Sequence, residues 1–215
     1  MVSSNTIYHN SQDAKLLRTE YIHTMVKIIF TLFTVGFVGI RAYYHQPDDD
    51  TQTEIRGTRE KWLAGQFTVI LLMIHGWWLG ESENAILISD LSFINPSLIG
   101  ACIMGASLPL LIWVHHSLGT YFSARLVVQH QHEIIQHGPY QWVRHPMYTV
   151  GFLYLIGAGL LSQSWVVGII PTCSFALLVG LRVHDEERML CTVSEEYREY
   201  MNQTGRFFPK FNRTV

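Results

Sequence analysis

Two short stretches concentrate residues able to do chemistry. HGPYQWVRHPMY, residues 137–148, combines a Gly-Pro turn, three aromatics, an arginine, two histidines and a second proline. Pro146 restricts the backbone of the residues before it and so helps to expose Arg144 and His145. RVHDEERML, residues 182–190, sets Arg182 and Glu186 four positions apart, hence on one side of a helix, with Glu187 beside them. A guanidinium such as Arg182 or Arg144 grips a carboxylate or phosphate through two parallel hydrogen bonds. A carboxylate such as Glu186 takes a diol or an ammonium, and the rings of Tyr140, Trp142 and Tyr148 offer their faces to a cation. Together these residue types suit a polar, charged ligand.

Histidine offers a rival chemistry. His115, His116, His130, His132, His137 and His145 fall in one region, as in membrane di-iron oxygenases. Their spacings are HH, HxH and singles, without the helical ligand repeats and supporting carboxylates that such centres need. No metal is therefore expected. Cys102, Cys173 and Cys191 lie far apart, form no CxxC pair and read as small core residues.

The elements that must position these residues are membrane helices. Of the 215 residues 48% are hydrophobic and 15% charged, well below the quarter or so of an ordinary soluble domain. A net charge of −2 supplies no basic face, so nucleic acid is not expected as a partner. The polar first 24 residues, followed by an apolar run of spanning length, argue against a cleaved signal peptide. Apolar stretches run from Met25 to Tyr44, Trp62 to Leu79, Pro96 to about Trp113, and Thr149 to Val183. The last is too long for one span and is broken at Ser162-Gln163-Ser164, which predicts a tight hairpin and about five spans in all. Gly151, Gly157, Ala158 and Gly159 permit close helix approach there. Lys27 and Arg41 read as snorkelling residues, Trp62, Trp77 and Trp78 as interface anchors, and His75 as a hydrogen-bonded partner between helices. Residues 1–20 read as mobile.

Charge sets the orientation. The 80–96 loop holds Glu81, Glu83 and Asp90 with no Lys or Arg, whereas segments 41–61, 119–146 and the tail from 182 carry the basic residues and are expected to face the cytosol. Residues 184–204 read as a separate amphipathic helix with Gly205 at its C-cap, and RFFPKF (206–211) as a segment that packs back or lies on the membrane.

HEIIQHGPYQWVRHPMY (132–148), a helical hairpin, Arg182-x3-Glu186-Glu187 and EYREY…GRFFPKF together resemble the isoprenylcysteine carboxyl methyltransferase family, over roughly residues 115–211. The resemblance implies an integral membrane enzyme that uses S-adenosylmethionine (SAM) on a lipophilic acceptor, best the carboxylate of a C-terminal prenylated cysteine. Methylation of a phospholipid amine or another small lipophile is the alternative within the class. It implies cofactor contacts at His132, Glu133, Ile134, Ile135, Tyr140, His145, Pro146, Met147, Tyr148 and Glu186, and an acceptor contact at Arg182. Two positions depart from the family pattern: Val150 stands where a glycine is common, with Gly151 following, and Arg125 stands where eukaryotic members have a glutamine.

Methyl transfer is an in-line displacement, so alignment supplies much of the acceleration. A carboxylate nucleophile is ionised at neutral pH and needs only an arginine, Arg182 or Arg144, to hold it. An amine would need a proton acceptor, for which Glu187 and His145 are candidates. The expected architecture is thus an all-α, multi-span membrane bundle whose C-terminal helix closes a cofactor pocket. Residues 1–118 form an N-terminal region of three spans and 119–215 the methyltransferase core. Its setting would be the endoplasmic reticulum in a eukaryote or the inner membrane in a bacterium, among membrane lipids, with the site on the cytosolic face. The rivals of other classes are a histidine-cluster oxidoreductase and a non-catalytic scaffold.

Overall fold

The run Met25–Tyr44 is the C-terminal part of a much longer helix, α1, which spans Ser3–Tyr43. No glycine or proline interrupts residues 3–35, so nothing stops the helix from continuing back through the polar segment that the sequence reading left mobile. The computed structural model describes the backbone of residues 3–44, 95–118 and 134–210, together with most of residues 65–78. Between 65 and 78 the described residues are helical (α2). Helix α3 covers Pro96–Leu118, five residues beyond Trp113; Pro96 opens it, and Asn95 Oδ1 accepts from the Ser97 N–H at 3.1 Å.

The predicted hairpin forms helices α4 (Pro146–Ser162) and α5 (Trp165–Val193). Gln163 takes the left-handed conformation (φ 51°) at the turn, and Ser164 caps α5 by accepting from the Val167 N–H at 3.5 Å. Helix α5 then runs unbroken past Val183, so the soluble helix does not begin at residue 184. The break comes at Ser194, whose extended backbone (φ −142°, ψ 120°) and hydroxyl cap start α6, Glu195–Gln203. The serine's ability to satisfy the free Tyr197 N–H places the break.

Glu20–Tyr43, Pro96–Leu118 and Trp165–Thr192 are long and apolar enough to cross a membrane, and Pro146–Ser162 is a shorter apolar helix. The protein is an integral membrane helical bundle. Helices α3 and α4 make its closest crossing: a Cβ on Gly100 would stand 2.2 Å from the Leu161 nitrogen, so the two backbones touch. Met104, Leu111, Tyr154, Leu155 and Leu161 are buried around this crossing. Helix α1 joins it where Tyr154 donates to Thr34 Oγ1 at 2.7 Å and packs its ring, tilted, against Phe37 at 4.3 Å.

Cys102 and Cys173 are exposed and Cys191 half-buried, because in a bundle of this kind the outer helix surface is itself an apolar environment. Trp78 is buried and packs against Phe30 at 5.9 Å instead of anchoring an interface; Trp62 and Trp77 lie outside the described residues. His75 stacks flat on Phe30 at 5.7 Å, and its Nδ1 finds no hydrogen-bond partner among the described residues.

Candidate functional site

The site is organised by Glu187, a buried carboxylate on α5. Its Oε1 accepts from Arg144 Nε at 3.0 Å and lies 3.3 Å from His145 Nε2, while Oε2 accepts from Arg206 at 2.5 Å. One side chain thereby joins the 137–148 loop, the last membrane helix and the C-terminal segment. Burying a carboxylate is unfavourable unless it is paired and hydrogen-bonded, and here both oxygens are. The bond to Glu187 also strengthens the hold of Arg206 on its proton.

Arg144 completes the clamp by donating to the carbonyls of Met201 at 3.1 Å and of Thr204, at the C-terminal end of α6. These carbonyls have no helical partner, so a cation belongs there. The backbones follow: Arg144 N–H donates to Gly205 O at 2.9 Å, His145 N–H to Arg206 O at 3.1 Å, and Thr149 Oγ1 to Phe207 O at 3.0 Å. RFFPKF therefore packs back onto the loop, and Phe208 remains exposed. Gly205 is no C-cap in the left-handed sense, since only Gly138 among the described glycines has positive φ. It is required by close approach, because a Cβ there would meet the Phe208 carbonyl oxygen at 1.7 Å.

Around this hub stand further polar groups. Tyr148, in the first turn of α4, donates to Glu186 Oε2 at 3.3 Å and stacks on His145 at 5.7 Å. Arg182, one turn before Glu186, lies within electrostatic range of Tyr148. Tyr140 sits in a single 3-10 turn, Gly138–Gln141, and its carbonyl accepts from the Tyr200 hydroxyl of α6 at 2.5 Å. Burial, with Tyr200 and Glu186 adding to it, pushes the Tyr140 hydroxyl well above its usual range, so it stays a neutral donor.

Among the sequence-predicted residues, Tyr140, Arg144, His145, Pro146, Met147, Tyr148, Arg182 and Glu186 are drawn into this cluster of the loop, the start of α4 and the end of α5. Ile134 and Ile135 lead into the loop half-buried, Ile135 against the core. His132, Glu133 and Arg125 lie outside the described residues. The Val150 departure has a packing reason: a Cβ on Gly151 would meet Phe175 Cζ at 2.8 Å, so the glycine stands where α5 crosses, and Val150 is buried instead. The described histidines do separate jobs. His115 hydrogen-bonds its own helix at Leu111 O (2.9 Å), His116 and His137 are exposed, and His145 faces Glu187. No group of three metal-ligating side chains is gathered among the described residues.

The sequence reading missed Arg41. It ends α1 and does not snorkel: its guanidinium reaches Met147 Sδ at 2.9 Å, inside the loop motif.

Residues 98–192 match the model of the isoprenylcysteine carboxyl methyltransferase family. Over this segment, less than half of its length, the chain is similar to that family. The motif loop and the Arg182–Glu187 turn fall inside the matched segment, while α1 and α2 lie before it. Among solved structures, the eukaryotic intramembrane Ras methyltransferase, isoprenylcysteine carboxyl methyltransferase, shares the fold with a TM-score of 0.53, at 20% identity over 84% of this chain and 63% of that one. The cobalt-zinc-cadmium resistance protein CzcN of Cupriavidus metallidurans is 28% identical over 57% of this chain and 54% of its own length. The nickel-cobalt-cadmium resistance protein NccN of Alcaligenes xylosoxydans xylosoxydans is 30% identical over 37% of this chain and 38% of its own. The chain thus spans about half the length, or less, of these relatives.

Proposed function

We propose that the chain is a SAM-dependent methyltransferase acting on a lipophilic acceptor in the membrane, best the carboxylate of a C-terminal prenylated cysteine. The observation that carries this reading is the meeting of the family's loop motif with the Arg182/Glu186 turn, joined by the Tyr148–Glu186 hydrogen bond of 3.3 Å. The residues present fit SAM chemically. A carboxylate with no ion-pair partner among the described residues, Glu186, suits a ribose diol or an ammonium. The rings of Tyr140 and Tyr148 suit adenine or a sulfonium.

When bound, SAM supplies an electrophilic methyl group. The chain's own residues bind and align. Glu186, steadied by Tyr148, holds the cofactor; Arg182 holds the acceptor's anion; and the C-terminal segment, clamped through Glu187, keeps the loop in place and shields it from water. Alignment of this kind removes most of the entropic part of the barrier.

The hub also bears on the acceptor. Glu187 and His145, the two bases an amine would call on, face each other at 3.3 Å, and Glu187 is further engaged by two arginines. That supports a nucleophile already ionised at neutral pH over one that must lose a proton.

The test is transfer of a radiolabelled methyl group from SAM to a farnesyl-cysteine analogue and, in parallel, to phosphatidylethanolamine. Label in the first is expected. Label in the second alone would move the acceptor to the phospholipid amine, and label in neither, with no SAM binding, would overturn the reading.

A further inference from the structure

We propose that the C-terminal segment 206–210 is seated in the bilayer interface with Phe208 as its lipid anchor, so that the leaflet beside the loop motif helps to hold this segment over the loop. The inference needs only the membrane fold and stands whether or not SAM is the cofactor.

The depth of the segment follows from its contacts. Gly100, near the start of α3, meets Leu161, near the end of α4, while Ser117, near the end of α3, lies against Gly138 of the loop that leads into α4. The two helices are therefore antiparallel, and the first turn of α4 is level with the end of a helix long enough to span. Helix α4 has 17 residues, a length of about 25 Å. The hydrocarbon core is about 30 Å thick, so α4 has no turn to spare and its first turn lies at the edge of the bilayer.

The C-terminal segment is tied to that turn. Thr149 Oγ1 donates to Phe207 O at 3.0 Å, and the Phe207 ring lies 6.3 Å from that of Phe152, about one turn further in. Phe208 comes next and is 77% exposed. A lone exposed phenylalanine is ordinary on a surface that meets water. Beside the first turn of a membrane helix it meets headgroups and the upper acyl chains instead.

Other elements mark the same level. Tyr44, just past α1, packs its ring against His115 of α3 at 4.9 Å, and its neighbour Tyr43 is exposed. Trp113 of α3 meets Trp142 of the loop edge-on at 5.7 Å, and both are exposed. Exposed aromatics thus stand at the ends of α1 and α3, on the loop and on the C-terminal segment, all at one end of the bundle. That is the pattern of an interfacial aromatic belt. Arg206 and Lys210, two places before and after Phe208, are exposed and positive, the sign that lipid phosphates attract. The segment is held from within by the Arg206–Glu187 pair and from without by lipid around Phe208.

The test uses the full chain with the photoreactive residue p-benzoylphenylalanine in place of Phe208, reconstituted in phosphatidylcholine nanodiscs, irradiated and analysed by mass spectrometry. The same probe in place of Glu199, an exposed charged residue of α6, is the comparison. Lipid adducts at 208 several-fold above those at 199 are expected. Equal labelling at the two positions would overturn the inference, and so would crosslinks from 208 to a second copy of the chain in place of lipid. Phe208→Ser in the same nanodiscs reads the consequence. Trypsin cleavage after Arg206 follows the population of released segment, and it should quicken roughly three- to tenfold while the melt stays that of wild type. Phe208→Trp, which keeps an interfacial aromatic, should be cleaved at the wild-type rate. Phe208→Ser cleaved within about twofold of wild type, or Phe208→Trp cleaved as fast as Phe208→Ser, overturns the anchor; this comparison decides alone should the probe-bearing chain not fold.

Discussion

Replacing Glu187 by alanine removes the counter-charge of a guanidinium that has nowhere else to go. The Arg144 side chain is 8% exposed and that of Glu187 5%, so the variant leaves a buried cation with only the carbonyls of Met201 and Thr204 for company. Breaking a buried pair from one side costs about 3–5 kcal/mol. Arg206, 46% exposed, adds less than about 1 kcal/mol because water screens it. His145 adds roughly another 1 kcal/mol for one lost hydrogen bond. For a chain of this size the sum corresponds to a fall in melting temperature of roughly 10–25 °C. The damage should be local first, since the hub is what joins the 205–210 segment to the loop. Thermal melts of the detergent-purified variant, with trypsin digestion at Arg206 and Lys210, read both effects. Glu187→Gln, which retains an acceptor oxygen and the shape, should fall between. A Glu187→Ala protein that melts within about 2 °C of wild type and keeps its tail protected would refute the hub.

Other expectations follow from the same geometry. Tyr148→Phe removes the phenol that steadies Glu186 and should weaken SAM binding by a few-fold, about 1 kcal/mol, with no change in melting. Arg182→Lys keeps the charge but not the planar fork; KM for a carboxylate acceptor should rise roughly tenfold with SAM affinity unchanged. Gly100→Leu drives a side chain into the Leu161 backbone and should abolish accumulation of folded protein, checked by size-exclusion chromatography of the solubilised chain. Burial above all pushes the Tyr200 hydroxyl up to about 12, against about 10 in an unfolded chain. A raised folded value means that the stability it contributes is complete below pH 10 and lost as the pH climbs toward 12. Trypsin sensitivity of the tail should therefore rise across that window, with a smaller change in Tyr200→Phe.

What the sequence disclosed was local. Apolar runs announced the helices, Ser162-Gln163-Ser164 announced the hairpin because a turn former and a capping serine act within four residues, and the small residues of α4 announced a close crossing. The loop motif and the Arg182–Glu187 turn could be read as partners only through resemblance, since nothing in their spacing says that they meet. Long-range pairings left no trace. Arg41 and Met147 are 106 positions apart, and an arginine that reaches inward has the same sequence context as one that snorkels. Glu187 looked like a spare base because its partners, Arg144 and Arg206, lie 43 and 19 residues away. The extension of α1 back to Ser3 was missed for a different reason: a polar stretch without glycine or proline is compatible with helix but carries no apolar period to reveal it.

The account's central claim is that the loop motif and the Arg182/Glu186 turn form a SAM site. Calorimetric titration of SAM into the purified full chain, beside a Glu186→Ala variant that melts like wild type, tests it most directly. Saturable binding by wild type at one site per chain, lost or weakened at least tenfold in the variant, is the predicted result. No binding by a folded wild type, or equal binding by both proteins, would contradict it.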